Sequence, residues 1–263
     1  MICIGIKQNG LLSGKSEMRE FGLIGRGLSH SFSADYFNNK FAENNIDAIY
    51  RLHDLKSISE LSELILLPNL IGLNVTSPYK REVIPFLDVL SEEAEALNAV
   101  NVIKILLDCE GDVKLKGYNT DSEGFGLTLD SFPVIDSALI MGTGGASSAV
   151  AYALRKRDIP FTFVSRTPDN HSIGYEEMND VLNNYHLIIN ATPLGMFPDV
   201  KSSPPLDFDK ITDNHICYDL IYNPSVTLFM QKAKEKGALT INGLQMLLNQ
   251  AELGWNIWNG NER

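Results

Sequence analysis

Glycines at 142, 144 and 145, in the string Met141–Ser147 (MGTGGAS), follow an apolar run and open a helical one. That placement turns a glycine pattern into a site for a pyrophosphate. A tight turn needs Gly142, and Gly144 lets a phosphate approach the backbone. The helix start supplies open amides and the positive end of its dipole. Ser147 stands where the usual fingerprint has its third glycine, so the match is partial, and Gly-rich strand-to-helix turns also occur without a ligand. The next apolar run ends in Val164-Ser165-Arg166-Thr167. A cofactor with a free ribose 2′-hydroxyl usually meets a carboxylate about 20 residues past such a turn. Here an arginine between two hydroxyl residues takes that place, and a guanidinium suits a 2′-phosphate through its paired donors and fixed charge. This favours NADP over NAD; a solvated loop arginine is the alternative.

In the first half of the chain, polar strings fall at the ends of apolar runs, where parallel-sheet proteins place ligands. In Ser29-His30-Ser31-Phe32-Ser33, Ser33 is well placed to cap the following helix. Its hydroxyl and that of Ser31, beside a helix start, also make a cradle for a carboxylate. The second string is Asn74-Val75-Thr76-Ser77-Pro78-Tyr79-Lys80, whose lysine is either chemistry or a solvated cation. Asn98-Ala99-Val100-Asn101 and Gly117-Tyr118-Asn119-Thr120-Asp121 complete the set. Asp121, in a first helical turn, could serve only to complement the dipole.

The elements that would carry these strings read as two alternating series. FGLIG, AIYRLHDL and LIGLNVT are strands, separated by helices over Ser33–Asn45 and Ile58–Leu67. Pro78 and Pro85 bracket a segment that cannot be one long helix. SALIMG, PFTFVS, YHLIINAT and HICYDLIY form a second strand series. Thr120 and Glu123 predict a capping box at the helix between the two halves. Asn242–Trp258 is an amphipathic helix with Leu244, Leu247, Leu248, Ala251, Trp255 and Trp258 on one stripe. Gln250 lies at the border of that stripe, where a half-buried surface glutamine is the plain reading. Alternation of this pitch predicts an α/β fold on mostly parallel sheets.

Composition agrees with a globular enzyme-sized chain: 263 residues, 44% hydrophobic and 21% charged. No apolar stretch is long enough for a membrane span, and the N-terminus lacks the pattern of a secretory signal. Residues 1–17 read as a loose extension. Cys3, Cys109 and Cys217 are an odd number at wide spacing, which predicts reduced thiols in a cytoplasmic protein. The five histidines do not cluster at metal-ligand spacing. A net charge of −11 argues against nucleic acid and anionic membranes as partners. An anionic ligand would have to be held by local amides, hydroxyls and a few cations.

The strings HSFS, GLNVTSPYK, NAVN, NTD, MGTGGAS, NATPLGM (Asn190 to Met196), YDLIYNP (Tyr218 to Pro224) and NGLQMLLNQA (Asn242 to Ala251) stand in the order of a known motif series. From Gly25 to Ala251 the chain resembles the shikimate dehydrogenase family. It departs at Ala34, where the family commonly has proline, at Ser122, where glycine commonly follows NTD, and in carrying one arginine in the cofactor loop. The resemblance implies a substrate-binding catalytic domain from residues 18–120 and 238–263, with a mostly parallel sheet. It implies a Rossmann-like NADP-binding domain over 121–237.

The resemblance also assigns roles. The catalytic pair falls on Lys80 and Asp121, because hydride reduction of a ketone leaves an alkoxide that must be protonated as it forms. Ser31, Ser33 and Tyr222 would hold the carboxylate of shikimate or 3-dehydroshikimate, and Thr76, Asn101 and Gln250 its ring hydroxyls. Cofactor contacts fall on Gly142, Thr143, Gly144, Gly145, Ala146, Ser165, Arg166, Thr167, Thr192 and Gly243. A monomer or homodimer is implied. Paired serines favour shikimate over quinate, since quinate-using relatives often have a threonine there. The alternatives are an NAD-dependent quinate/shikimate dehydrogenase and a non-catalytic metabolite-binding paralogue; retention of both Lys80 and Asp121 speaks against the latter.

Overall fold

Residues 5–6, 18–28, 31–132 and 134–261 are described in this computed structural model. They fall into two compact units, one with the described residues up to Thr120 and those from Ala251 on, the other running from Asp121 to Gln250.

The first unit is built on β1 (Gly5–Ile6), β2 (Arg19–Gly25), β3 (Ala48–Asp54), β4 (Leu70–Val75), β5 (Val89–Leu90), β6 (Val102–Leu107) and β7 (Val113–Tyr118). Their order is β3-β2-β4-β6-β7-β5, with β1 pairing β6 beyond the end of β4. Every strand but β6 runs in one direction. Most of the proposed loose extension lies outside the described residues, as does Cys3. The described Gly5–Ile6 pair is not loose, because it adds to the sheet. Between β2 and β3, α1 (Phe32–Glu43) buries Phe37 and Phe41 against Phe21 and Trp258, and Phe37 stacks on Tyr50 at 4.7 Å.

The helix predicted over Ile58–Leu67 is much shorter. A 3-10 turn over Ile58–Glu60, closed by a capping box with Ser57, leads into α2 (Leu61–Leu64). Leu66 is 72% exposed and Pro68 follows, so neither burial nor backbone favours a further turn. The proline-bracketed segment holds only α3 (Tyr79–Glu82) and a 3-10 turn. A short α4 (Glu92–Leu97), capped by Ser91, ends on Asn98 in the left-handed region. The β6–β7 hairpin, turning through Asp108–Asp112 with Gly111 at φ +90°, was not among the predicted elements.

The second unit carries β8 (Ala138–Met141), β9 (Phe161–Val164), β10 (Ser172–Ile173), β11 (Leu187–Asn190), β12 (Ile216–Asp219) and β13 (Leu239–Ile241). They are all parallel, in the order β10-β9-β8-β11-β12-β13. β8, β11 and β12 are buried at every residue, as continuous apolar runs in a sheet covered on both faces must be. α5 (Asp121–Leu129) and α6 (Gly145–Arg155) cover one face through Phe125, Leu129, Val150 and Leu154. α7 (Tyr175–Val181) and α8 (Leu228–Glu235) cover the other through Met178, Phe229 and Met230. The strand order reverses at β8, which makes its carboxyl end a topological switch point, the usual ligand position in such sheets.

The predicted return to the first domain at residue 238 comes later, at Ala251, because Leu239–Ile241 adds to β12 as a parallel edge strand. α9 (Leu244–Trp258) begins in the second unit and ends in the first. There Trp258 lies over Gly72, where a Cβ would stand 2.2 Å from its Nε1, and that nitrogen donates to the Ile103 carbonyl at 3.0 Å. Cys109 is exposed and Cys217 buried, both as free thiols. No helix among the described residues is long and apolar enough to cross a membrane.

Candidate active site

In the second unit the turn after β8 has the shape the sequence asks for. Gly142 sits at φ +111°, and a Cβ there would approach the Ala191 carbonyl oxygen at 3.1 Å. Gly144 precedes α6 in extended conformation, and added Cβ atoms at Gly144 and Gly145 would meet nothing within 4 Å. Thr143, Gly144, Gly145 and Ala146 are exposed. Ser147, in place of the third glycine, is fully buried with its Oγ 3.2 Å from the Gly142 Cβ position. A small side chain is required there, and serine meets the need. An open backbone at the start of an 11-residue helix fits a pyrophosphate, since the first amides of a helix have no partner within it.

At the end of β9, Ser165 Oγ accepts from Thr167 N at 3.2 Å and donates to the Thr167 carbonyl at 3.1 Å, folding the loop around Arg166. Arg166 is exposed and makes no ion pair among the described residues. The nearest following carboxylate, Asp169, is already used. It accepts from Ser172 Oγ at 2.7 Å and His171 N at 2.9 Å, and these bonds hold its carboxyl below the usual range. The loop therefore offers a cation and hydroxyls, which fits a 2′-phosphate.

Beyond β11 and β12, Thr192 donates its hydroxyl to Asn190 Oδ1 at 2.7 Å and accepts from Leu194 N at 3.2 Å. Its side chain thus shapes its own loop. Gly243 is buried, and a Cβ on it would come 2.0 Å from the Leu220 carbonyl oxygen, so close backbone packing explains this glycine by itself. Tyr222 is 40% exposed. Asp121 opens α5, and Gln250 donates to the Leu247 carbonyl at 3.2 Å. Both are half-buried.

The remaining predicted residues meet at one edge of the first sheet. The carboxyl ends of β2, β4 and β7 reach that edge, and β6 starts there because it runs the opposite way. Ser31, not Ser33, caps α1: its Oγ accepts from Ser33 N at 3.3 Å. The cap falls two residues early because Phe32 already has helical geometry, so Ser33 sits in the first turn. Tyr50 donates to Asn74 Oδ1 at 2.7 Å, and Asn74 Nδ2 donates to the Asn101 carbonyl at 3.2 Å. Asn101 in turn exchanges hydrogen bonds with Thr120, giving Nδ2 to its Oγ1 at 3.0 Å and receiving its N–H at 2.8 Å. Thr76 N bonds the Ile24 carbonyl, and the Lys80 carbonyl accepts from Val100 N at 2.7 Å. Ser29 and His30 lie outside the described residues.

Tyr50, Asn74, Asn101 and Thr120 thus form one hydrogen-bonded polar chain at the sheet end that also bears Thr76 and Lys80. Buried polar groups that are fully paired hold a fixed geometry, and this one would present hydroxyls and amides to a hydroxyl-rich ligand. Tyr50 as a node was not read from the sequence. Asn190 and Asp219, which tie the loops after β11 and β12, were likewise missed, although both stand in the quoted motifs. Among the described residues no group of three or more His, Cys, Asp or Glu side chains could hold a metal.

Comparison with known proteins finds relatives over nearly the whole chain. Residues 23–103 match the family description Shikimate dehydrogenase substrate binding domain. A Shikimate dehydrogenase (NADP(+)) of Carboxydothermus hydrogenoformans is 36% identical over 264 residues, covering 93% of this chain and 92% of the relative. The structure of shikimate 5-dehydrogenase from Thermus thermophilus in complex with NADP(H) and shikimate has a TM-score of 0.80 at 30% identity, covering 92% of this chain and 94% of that one. Quinate dehydrogenase from Corynebacterium glutamicum in complex with NAD has a TM-score of 0.81 at 27% identity, with the same coverage of 92% and 94%. With these motifs and more than a third of its residues shared over nearly its whole length, the chain belongs to the shikimate dehydrogenase family.

Proposed function

We propose that this chain catalyses the reversible NADPH-dependent reduction of 3-dehydroshikimate to shikimate. The observation that carries the reading is the scaffold linking Tyr50, Asn74, Asn101 and Thr120 at the sheet edge that also bears Thr76 and Lys80. A substrate rich in hydroxyls is best selected by such paired donors and acceptors, because an analogue lacking one group leaves a buried partner unsatisfied. Ser31 and Ser33 serve the carboxylate with Tyr222, while Thr76, Asn101 and Gln250 orient the ring hydroxyls. The open turn over Thr143–Ala146 and the α6 amides hold the pyrophosphate, and Arg166 with Ser165 and Thr167 the 2′-phosphate.

When bound, the nicotinamide cofactor supplies or accepts the hydride. The chain's own part is the proton: Lys80 and Asp121 protonate the oxygen at C3 as the ketone is reduced, and take that proton back in oxidation. Shikimate oxidation, followed by nicotinamide absorbance with NADP and NAD at equal concentration, tests the assignment. Lys80→Ala lowers kcat by about 10²-fold with KM for shikimate largely kept. A wild-type protein that does not oxidise shikimate ends the proposal. A strong preference for quinate with NAD favours the second reading.

A further inference from the structure

Asp219 is fully buried at the end of β12 and makes no ion pair among the described residues. An ionised carboxylate in such a place is costly unless several donors satisfy it. Three do. Oδ1 accepts from Asn190 Nδ2 at 3.1 Å and from Ile221 N at 3.0 Å, and Oδ2 accepts from Thr227 Oγ1 at 2.6 Å. Burial raises its pKa and the three hydrogen bonds oppose that rise.

Each donor belongs to a different piece of chain. Asn190 also donates Nδ2 to the Leu194 carbonyl, while its Oδ1 takes both the N–H and the hydroxyl of Thr192. The path of Thr192–Leu194 is thereby set from one side chain. Ile221 immediately precedes Tyr222, and its carbonyl accepts from Gly243 N at 3.1 Å. Thr227 caps α8 by accepting from Met230 N at 3.3 Å. A side chain lacking a second polar atom at the Oδ2 position could not hold all three at once.

We infer that Asp219 is a positioning residue for the reaction: one carboxylate sets both the loop bearing Thr192 and the loop bearing Tyr222. This rests on the proposed function and on the family resemblance, which puts Thr192 beside the nucleotide and Tyr222 beside the substrate carboxylate. Asp219 touches neither ligand. Its effect passes through Asn190 to one site and through Ile221 to the other.

The test is kinetic, because KM does not depend on how much of a preparation is folded, and a merely structural role leaves it unmoved. Asp219→Ala in the full chain is expected to raise KM for NADP and for shikimate by about tenfold each, since small misplacements of binding groups cost that much. Asp219→Asn keeps one oxygen for Asn190 and Ile221 and turns its amide toward Thr227, so both KM values stay within about threefold of wild type. Asn190→Ala severs only the Thr192 branch and raises KM for NADP alone, which also serves if Asp219→Ala does not fold. Unchanged KM values in a destabilised Asp219→Ala overturn the inference, as does an equal rise in both KM values for Asn190→Ala. Wild-type protein inactive on shikimate would instead remove the functional reading on which it rests.

Discussion

Gly144→Ala separates a nucleotide-binding turn from a turn that is glycine-rich for folding alone. Gly144 has φ −87° and ψ −172°, extended backbone that alanine adopts freely, and its added Cβ would have no neighbour within 4 Å. Alanine gains about 0.4–1 kcal/mol by restricting the unfolded chain. As a poorer N-cap than glycine it loses a comparable amount, roughly 0.5–1 kcal/mol. The two nearly cancel, and at ~2–4 °C per kcal/mol for a chain of this size the melting temperature moves by no more than about 2 °C. A pyrophosphate lying on this backbone would meet the new methyl group and lose one charge-assisted bond to an amide, worth about 1.5–3 kcal/mol. That corresponds to a Kd for NADPH weaker by roughly 10- to 100-fold. Titration of cofactor fluorescence, beside a thermal melt of the same sample, reads both quantities. An unchanged Kd would show that the nucleotide does not approach Gly144. A melting temperature lower by several degrees would show that the open space around this glycine was misjudged.

Arg166→Ala is expected to raise KM for NADP by about 10-fold or more while leaving KM for NAD unchanged, measured with shikimate saturating; equal effects on both cofactors refute the 2′-phosphate assignment. Tyr50→Phe keeps the stack on Phe37 but orphans the buried Asn74 Oδ1, so stability falls by about 1–3 kcal/mol in denaturant melts. Burial holds the folded Tyr50 phenol protonated well above its ordinary 10.0, while the unfolded chain ionises there. Wild type accordingly loses stability relative to Tyr50→Phe as pH rises past that value, and the gap between them narrows; a gap constant with pH contradicts this. Gly243→Ala, with a Cβ 2.0 Å from a backbone oxygen, costs about 3 kcal/mol or more, and a melt within 1 °C of wild type would show that the contact relaxes cheaply.

The sequence by itself determined the features that rest on local chemistry. Continuous apolar runs gave the parallel strands of the second sheet, and Gly142 was legible because a turn at φ +111° has few alternatives to glycine. The prolines at 78 and 85 limited α3 for the same kind of reason, through the backbone alone. Local rules failed where two options were nearly equal in energy. Ser31 and Ser33 are both good caps, and which one serves depends on where Phe32 enters the helix. Thr192 and Gly243 also have loop-closing and packing roles, visible only once Asn190 and Leu220 are placed beside them.

Only the tertiary structure decided the polar scaffold. Tyr50, Asn74, Asn101 and Thr120 lie on separate elements, and their hydrogen bonds exist because β2, β3, β4, β6 and β7 are laid side by side in one register. The same holds for Asp219, whose bond to Asn190 on β11 joins two strands 29 residues apart in sequence, while Ile221 and Thr227 follow in its own loop. A pattern of residue types records which atoms can donate and accept. Which of them meet is fixed by strand pairing and burial, and these minimise the free energy of the whole fold rather than of any one segment.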